Sequence, residues 1–152
     1  MLIKTHLLIS LAIGLLFIPY VKYPILFLVV ILLATYIPDI DTPSSKIGNH
    51  WYLRPFQWIA GHRGIIHSFV FLILMVIVFA LFLPIVALPF FLGYSSHLFA
   101  DSFTMQGIKP FYPLGNQSKG NFKTGGFNEL NLLAFFGIID LFLLFIRVPQ
   151  MF

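Results

Sequence analysis

The chain has no cysteine and very little charge. Without cysteine there is no disulfide framework, no thiolate metal site and no cysteine nucleophile, so any metal has to be held by nitrogen and oxygen ligands. Charged residues make up 9% of the 152 positions, where globular chains carry about 25%. That scarcity, beside 59% hydrophobic and 18% aromatic residues, excludes an ordinary soluble domain and leaves a membrane protein. The net charge of +4 comes from few, scattered Lys and Arg residues. It reads as topology information and not as a nucleic-acid footprint, and no nucleic-acid partner is expected.

What the chain does have is a series of apolar runs. Leu2 to Ile18 is broken only by Lys4, Thr5 and His6. Pro19-Tyr20 follows in place of a small-residue cleavage site, so the run reads as a retained helix and not a signal peptide. The second run, Tyr23 to Ile37, stops at Pro38-Asp39-Ile40-Asp41-Thr42-Pro43, where two prolines and two carboxylates oppose further helix. Ile65 to Leu83 is uncharged for 19 residues, about 28 Å as a helix and enough to span a bilayer. Ile85 to Ala100 returns after a turn at Pro84, and a last run from Leu130 to Ile146 carries Asp140 near its middle. The expected fold is an all-α integral membrane protein. It is a single transmembrane domain over 1–152, with about five transmembrane helices and two long connections, 42–64 and 102–128.

The first connection holds Trp51, Tyr52 and Trp58, aromatic residues that favour the headgroup level. The second is rich in Gly, Pro, Asn and Lys, and its Phe103, Phe111, Tyr112, Phe122 and Phe127 are expected to tuck in part into the protein. Five spans put the N-terminus and both connections on one side. That side carries Lys4, Lys46, Arg54, Arg63, Lys109, Lys119 and Lys123, against Lys22 and Arg147 opposite. The positive-inside rule makes the richer side cytoplasmic.

The same topology gathers the reactive side chains. His6 opens the first span, Asp39 and Asp41 end the second, His62 and His67 open the third, and His97 and Asp101 close the fourth. His6, His67 and His97 sit in apolar sequence on three different helices, where an ionisable group usually faces the bundle interior and marks function. His97 and Asp101, four apart, share a helix face. Four histidines and three carboxylates exceed one tetrahedral site and fit a centre of two divalent ions, zinc favoured, with manganese or iron as alternatives. Arg63, between two of these histidines, suits neutralising a phosphate or its transition-state charge. The catalytic roles therefore fall to Arg63, His62 and Asp41. Ser68, Ser95 and Ser96 read as helix-packing residues, and Asp140 as a buried polar contact.

Taken together, Thr5-His6, Pro38-Asp39-Ile40-Asp41, His62-Arg63-Gly64 with His67-Ser68, Gly93-Tyr94 with Ser96-His97 through Asp101, and then Thr104 and Gly107 resemble the YdjM-type family. These are small bacterial and archaeal membrane proteins described as metal-dependent hydrolases, some labelled LexA-binding. The resemblance covers about residues 5 to 115, and it implies that His6, Asp39, Asp41, His62, His67, His97 and Asp101 are the family's polar signature. The His-x-x-x-Asp pair is also similar, by analogy alone, to that of zinc phospholipase C and nuclease folds.

The function expected is that of an inner-membrane, metal-dependent hydrolase with its site facing the cytoplasm. It would cleave a lipid-borne phosphoester or ester with a metal-activated water. The alternatives are a metal-ion transporter and a non-catalytic membrane scaffold that binds a regulator.

Overall fold

A computed structural model describes residues 1–41, 49–54, 57–58 and 64–151 of the chain. Among these residues there are five α-helices and no strand. They are α1 (Ile3–Phe17), α2 (Pro24–Tyr36), α3 (Phe69–Phe82), α4 (Pro84–Ser102) and α5 (Phe127–Arg147). Short 3-10 turns prolong α1 through Ile18–Tyr20 and α2 through Ile37–Asp41. The second of these carries Asp39 and Asp41 past the point where Pro38 ends regular helix.

With those extensions, Ile3–Tyr20, Pro24–Asp41 and Phe127–Arg147 are long and apolar enough to cross a membrane. The other two helices fall short of that criterion for different reasons. α3 has 14 residues, not the 19 expected, because Ser68 takes an extended backbone and its Oγ accepts from Phe71 N–H at 3.2 Å. A serine N-cap supplies one of the donors' missing partners and fixes the helix start there. α4 is long enough, but Ser95, Ser96, His97 and Asp101 dilute its apolar character.

α4 is the central element and packs on α1, α2 and α3, while α5 lies along α1. Close approach of α4 to α2 depends on Gly93, where a Cβ would stand 2.2 Å from Ile31 O. Small residues allow such contacts in membranes, where hydroxyls also join helices. Here Thr35 Oγ1 lies 2.7 Å from Ser10 Oγ, which lies 2.7 Å from Ser96 Oγ, linking α2, α1 and α4. Leu72, Phe90, Tyr94 and Leu98 pack one apolar cluster, and Ala12, Leu15, Ile18 and Leu143 another. Large apolar side chains such as Leu33, Leu81, Leu141 and Phe145 remain exposed, as expected of a surface solvated by lipid.

The segment between α4 and α5 folds back on itself through bridges pairing Thr104 with Phe122 and Ile108 with Ser118. Its buried anchor is Ile108, and the Pro110 carbonyl accepts from Phe69 N–H at the start of α3. Of the aromatic residues in this segment, Tyr112 and Phe122 are half-buried, and Phe103, Phe111 and Phe127 are exposed. Ile108, paired with Ser118 through the backbone, takes the inner position instead.

Candidate metal centre

Four elements deliver five ligand-type side chains to one place. His6 comes from the first turn of α1, Asp39 from the 3-10 turn after α2, His67 from the turn before α3, and His97 and Asp101 from successive turns of α4. His6, His97 and Asp101 offer ligand atoms all within 4.8 Å of one another, and so do Asp39, His67 and His97. His97 belongs to both groups and stands at the centre. The His6 ring stacks on it at 3.9 Å between centroids, and the His67 ring meets it edge-on at 5.6 Å. All five are buried except Asp39, whose side chain keeps 20% exposure.

The hydrogen bonds at the periphery decide which nitrogens face inward. His97 Nδ1 lies 2.9 Å from Thr35 O. A carbonyl only accepts, so Nδ1 carries the proton and Nε2 keeps the lone pair of the neutral ring. His67 Nδ1 donates in the same way to Asp41 Oδ2 at 2.8 Å. Backbone carbonyls and carboxylates that grip the far nitrogen of a histidine fix its tautomer and raise its basicity toward a metal. Both Nε2 atoms are buried without a hydrogen-bond partner. Between them stand Asp101 Oδ2, 4.0 Å from His67 Nε2 and 3.9 Å from His97 Nε2, and Asp39 Oδ1, 3.9 Å from His97 Nε2. Asp101 Oδ1 also lies 3.2 Å from His6 Nε2 and 2.5 Å from the Met1 ammonium.

Buried polar atoms usually find partners, so two orphaned imidazole nitrogens aimed at two carboxylates fit a cation between them. The separations of 3.9–4.0 Å compare with about 3.3 Å between ligands of a tetrahedral ion bonded at about 2.0 Å, a contraction of a few tenths of an ångström per side chain. Nitrogen and carboxylate donors together suit zinc, manganese or iron.

Of the seven residues expected at a metal site, then, five converge. Asp41 is adjacent and fully buried, gripping His67. His62 and Arg63 lie outside the described residues. Trp51 and Trp58 are 85% and 86% exposed, and Gln57 ties their segment to the Ile40 carbonyl beside the cluster.

Two contributors are not apparent from sequence reasoning. Thr35 acts through its backbone carbonyl, which leaves no side-chain signal. Glu129, on α5, is fully buried. Its Oε1 accepts from Leu2 N–H at 2.6 Å and Thr5 Oγ1 at 3.0 Å, and its Oε2 from Gly125 N–H at 2.6 Å. It thereby holds the start of α1 at Leu2 and at Thr5, the residue before His6. The signal available was a glutamate three residues after the Gly126 N-cap, where capping-box carboxylates sit.

The family model described as "YdjM inner membrane protein" matches residues 1–150. Among curated proteins, YvsG of Bacillus subtilis is 32% identical over 104 residues, covering 64% of this chain and 65% of its own. The inner membrane protein YdjM of Escherichia coli is 35% identical over 91 residues, covering 54% of this chain and 46% of its own, and that of Shigella flexneri matches to the same extent. The chain thus spans less than two thirds of the length of each of these relatives. No solved structure matches.

Proposed function

The chain belongs to the YdjM family of inner membrane proteins, and from that membership and the His/Asp cluster we propose a membrane-embedded, metal-dependent hydrolase that cleaves a phosphoester or ester of a membrane lipid. The observation that carries the proposal is the pair His67 and His97, each held through Nδ1 and each turning an unpartnered Nε2 toward Asp39 and Asp101. In this reading His67, His97, Asp39 and Asp101 hold a divalent ion, with zinc favoured. Asp41 orients His67, and His6 keeps Asp101 in place. When bound, such an ion polarises the scissile ester and acidifies a water.

His97 has one open nitrogen and serves one ion, since Thr35 occupies the other. The described residues therefore provide for one ion, and a second, as the ligand count first suggested, draws on His6 and His62. Arg63, four positions before His67 in the chain, is assigned to the charge that develops on the ester.

The proposed topology is a five-helix bundle in which α3 and α4 complete the crossing. The basic asymmetry supports placing the cluster at its cytoplasmic end. Lipid headgroups meet a site at that level directly, and exposed Trp51 and Trp58 suit its rim. A transport role has less support. Of the remaining acidic and histidine side chains described, only Asp140 lies deep in the helices, about 16 Å along α5 from Glu129.

The test is turnover by the full chain in vesicles of membrane phospholipids and phosphorylated lipid carriers. Hydrolysis that a chelator abolishes and added zinc, manganese or iron restores supports the proposal. No metal-dependent turnover of any lipid turns the assignment toward a scaffold.

A further inference from the structure

α4 carries two stripes side by side. His97 and Asp101 face the cluster, and Ser96 and Ala100, one position earlier in each turn, border with Phe99 and Phe103 a cavity of about 350 Å³. α1 lines the same cavity with Ile9 and Ile13, and α5 with Leu132 and Phe136. His6, Ile9 and Ile13 are spaced i, i+3 and i+7, so one face of α1 runs from the cluster into the cavity over about 10 Å. The cavity and the cluster are continuous neighbours along two helices.

The walls are hydrocarbon. The hydroxyl of Ser96, which borders the cavity, is already engaged by Ser10 Oγ at 2.7 Å and the Gly93 carbonyl at 2.8 Å. Nothing there asks a ligand for a hydrogen bond, and a polar headgroup would be left unsatisfied. The volume lies at the lower end of small-ligand pockets, about 300–1,000 Å³. A helix from another protein, about 10–12 Å across, is too thick for it. Phe99, on the rim, is 61% exposed, so the cavity opens toward the medium around the helices, which is lipid.

We propose that this groove binds one acyl chain of a membrane phospholipid, lying along Ile9 and Ile13 with its headgroup end toward His6 and Asp101. That the bound lipid is the substrate rests on the hydrolase reading; that the chain binds does not. The groove would then set which lipids present their ester to the cluster, by chain length and shape.

The experiment uses the full chain in vesicles containing a phosphatidylglycerol with a photoreactive diazirine on one acyl chain, with labelled residues mapped by mass spectrometry. Labelling concentrated on Ile9–Ile13, Phe99–Phe103 and Leu132–Phe136 is the expected result. Ile13→Trp, which fills the groove from α1, and Phe136→Trp, which fills it from α5, each reduce that labelling roughly tenfold. Two substitutions on different helices guard against a single folding failure, and unchanged metal content reports an intact cluster. Labelling spread evenly over the lipid-facing residues Leu141, Phe142 and Phe145 as well, and insensitive to both substitutions, means annular lipid only and overturns the proposal. Groove labelling without lipid hydrolysis upholds the groove and removes the hydrolase reading. Metal-dependent hydrolysis of a water-soluble ester without groove labelling does the reverse.

Discussion

His67 Nδ1 lies 2.8 Å from Asp41 Oδ2, with both side chains buried. The pair joins the turn before α3 to the 3-10 end of α2 and leaves His67 Nε2 facing Asp101. Asp41 thus acts on the cluster through the histidine it holds. Removing such an outer partner typically costs 10–100-fold in metal affinity. Asp41→Ala should weaken metal binding on that scale, measured by chelator competition on purified protein. Asp41→Asn should cost less, because its amide oxygen still accepts from Nδ1 although the charge is gone.

Arg63→Ala is predicted to slow lipid turnover by roughly a hundredfold or more, the scale for removing one preorganised donor, with metal content near normal. Arg63→Lys should recover part of the rate, since a point charge replaces a planar fork. Steady-state turnover and elemental analysis on the same samples separate the two effects. Equal rates for Arg63→Ala and the parent chain would remove Arg63 from the mechanism.

Much of the cluster was legible in the sequence for a simple reason. His6, His67 and His97 interrupt apolar helices, where an imidazole without a purpose is costly, and the four-residue spacing of His97 and Asp101 sets both on one face of α4. The tautomers were not legible, because they depend on a carbonyl across a helix interface and on which of two neighbouring aspartates turns toward His67. Helix limits failed where local chemistry outweighed hydrophobicity. Ile65 and Ile66 look like part of a span, yet the Ser68 cap starts α3 after them. The role of Glu129 was not legible because its partners, Leu2 and Thr5, lie more than a hundred residues away.

Glu129 should prove a stability residue. Glu129→Ala leaves three donors, Leu2 N–H, Thr5 Oγ1 and Gly125 N–H, without their acceptor. The Thr5 donor is buried, where an unsatisfied group costs about 1–3 kcal/mol, and the other two are part-buried and cost less. Thermal unfolding in detergent should show a clear fall in Tm, with Glu129→Gln falling less because one oxygen remains. An unchanged Tm for Glu129→Ala would mean that the start of α1 is held by packing alone.

The proposed topology makes its own prediction. Seven Lys and Arg residues on one side of a five-helix bundle against Lys22 and Arg147 on the other place the C-terminus outside the cytoplasm. A reporter fused after Phe152 that works only in the periplasm should be active. One that works only in the cytoplasm should be silent, and the opposite pattern would put an even number of spans in the bundle.

The central claim is that His67, His97, Asp39 and Asp101 hold a divalent ion. Elemental analysis of the purified full chain, never exposed to chelator, tests it most directly. The account predicts at least one transition-metal ion per chain, zinc first among them. His97→Ala should lose most of it, and Asp101→Asn should lose less, since the amide keeps an oxygen and gives up the charge. Protein that carries no transition metal, and takes up none when zinc, manganese or iron is offered, would contradict the account and leave the cluster a hydrogen-bonded scaffold.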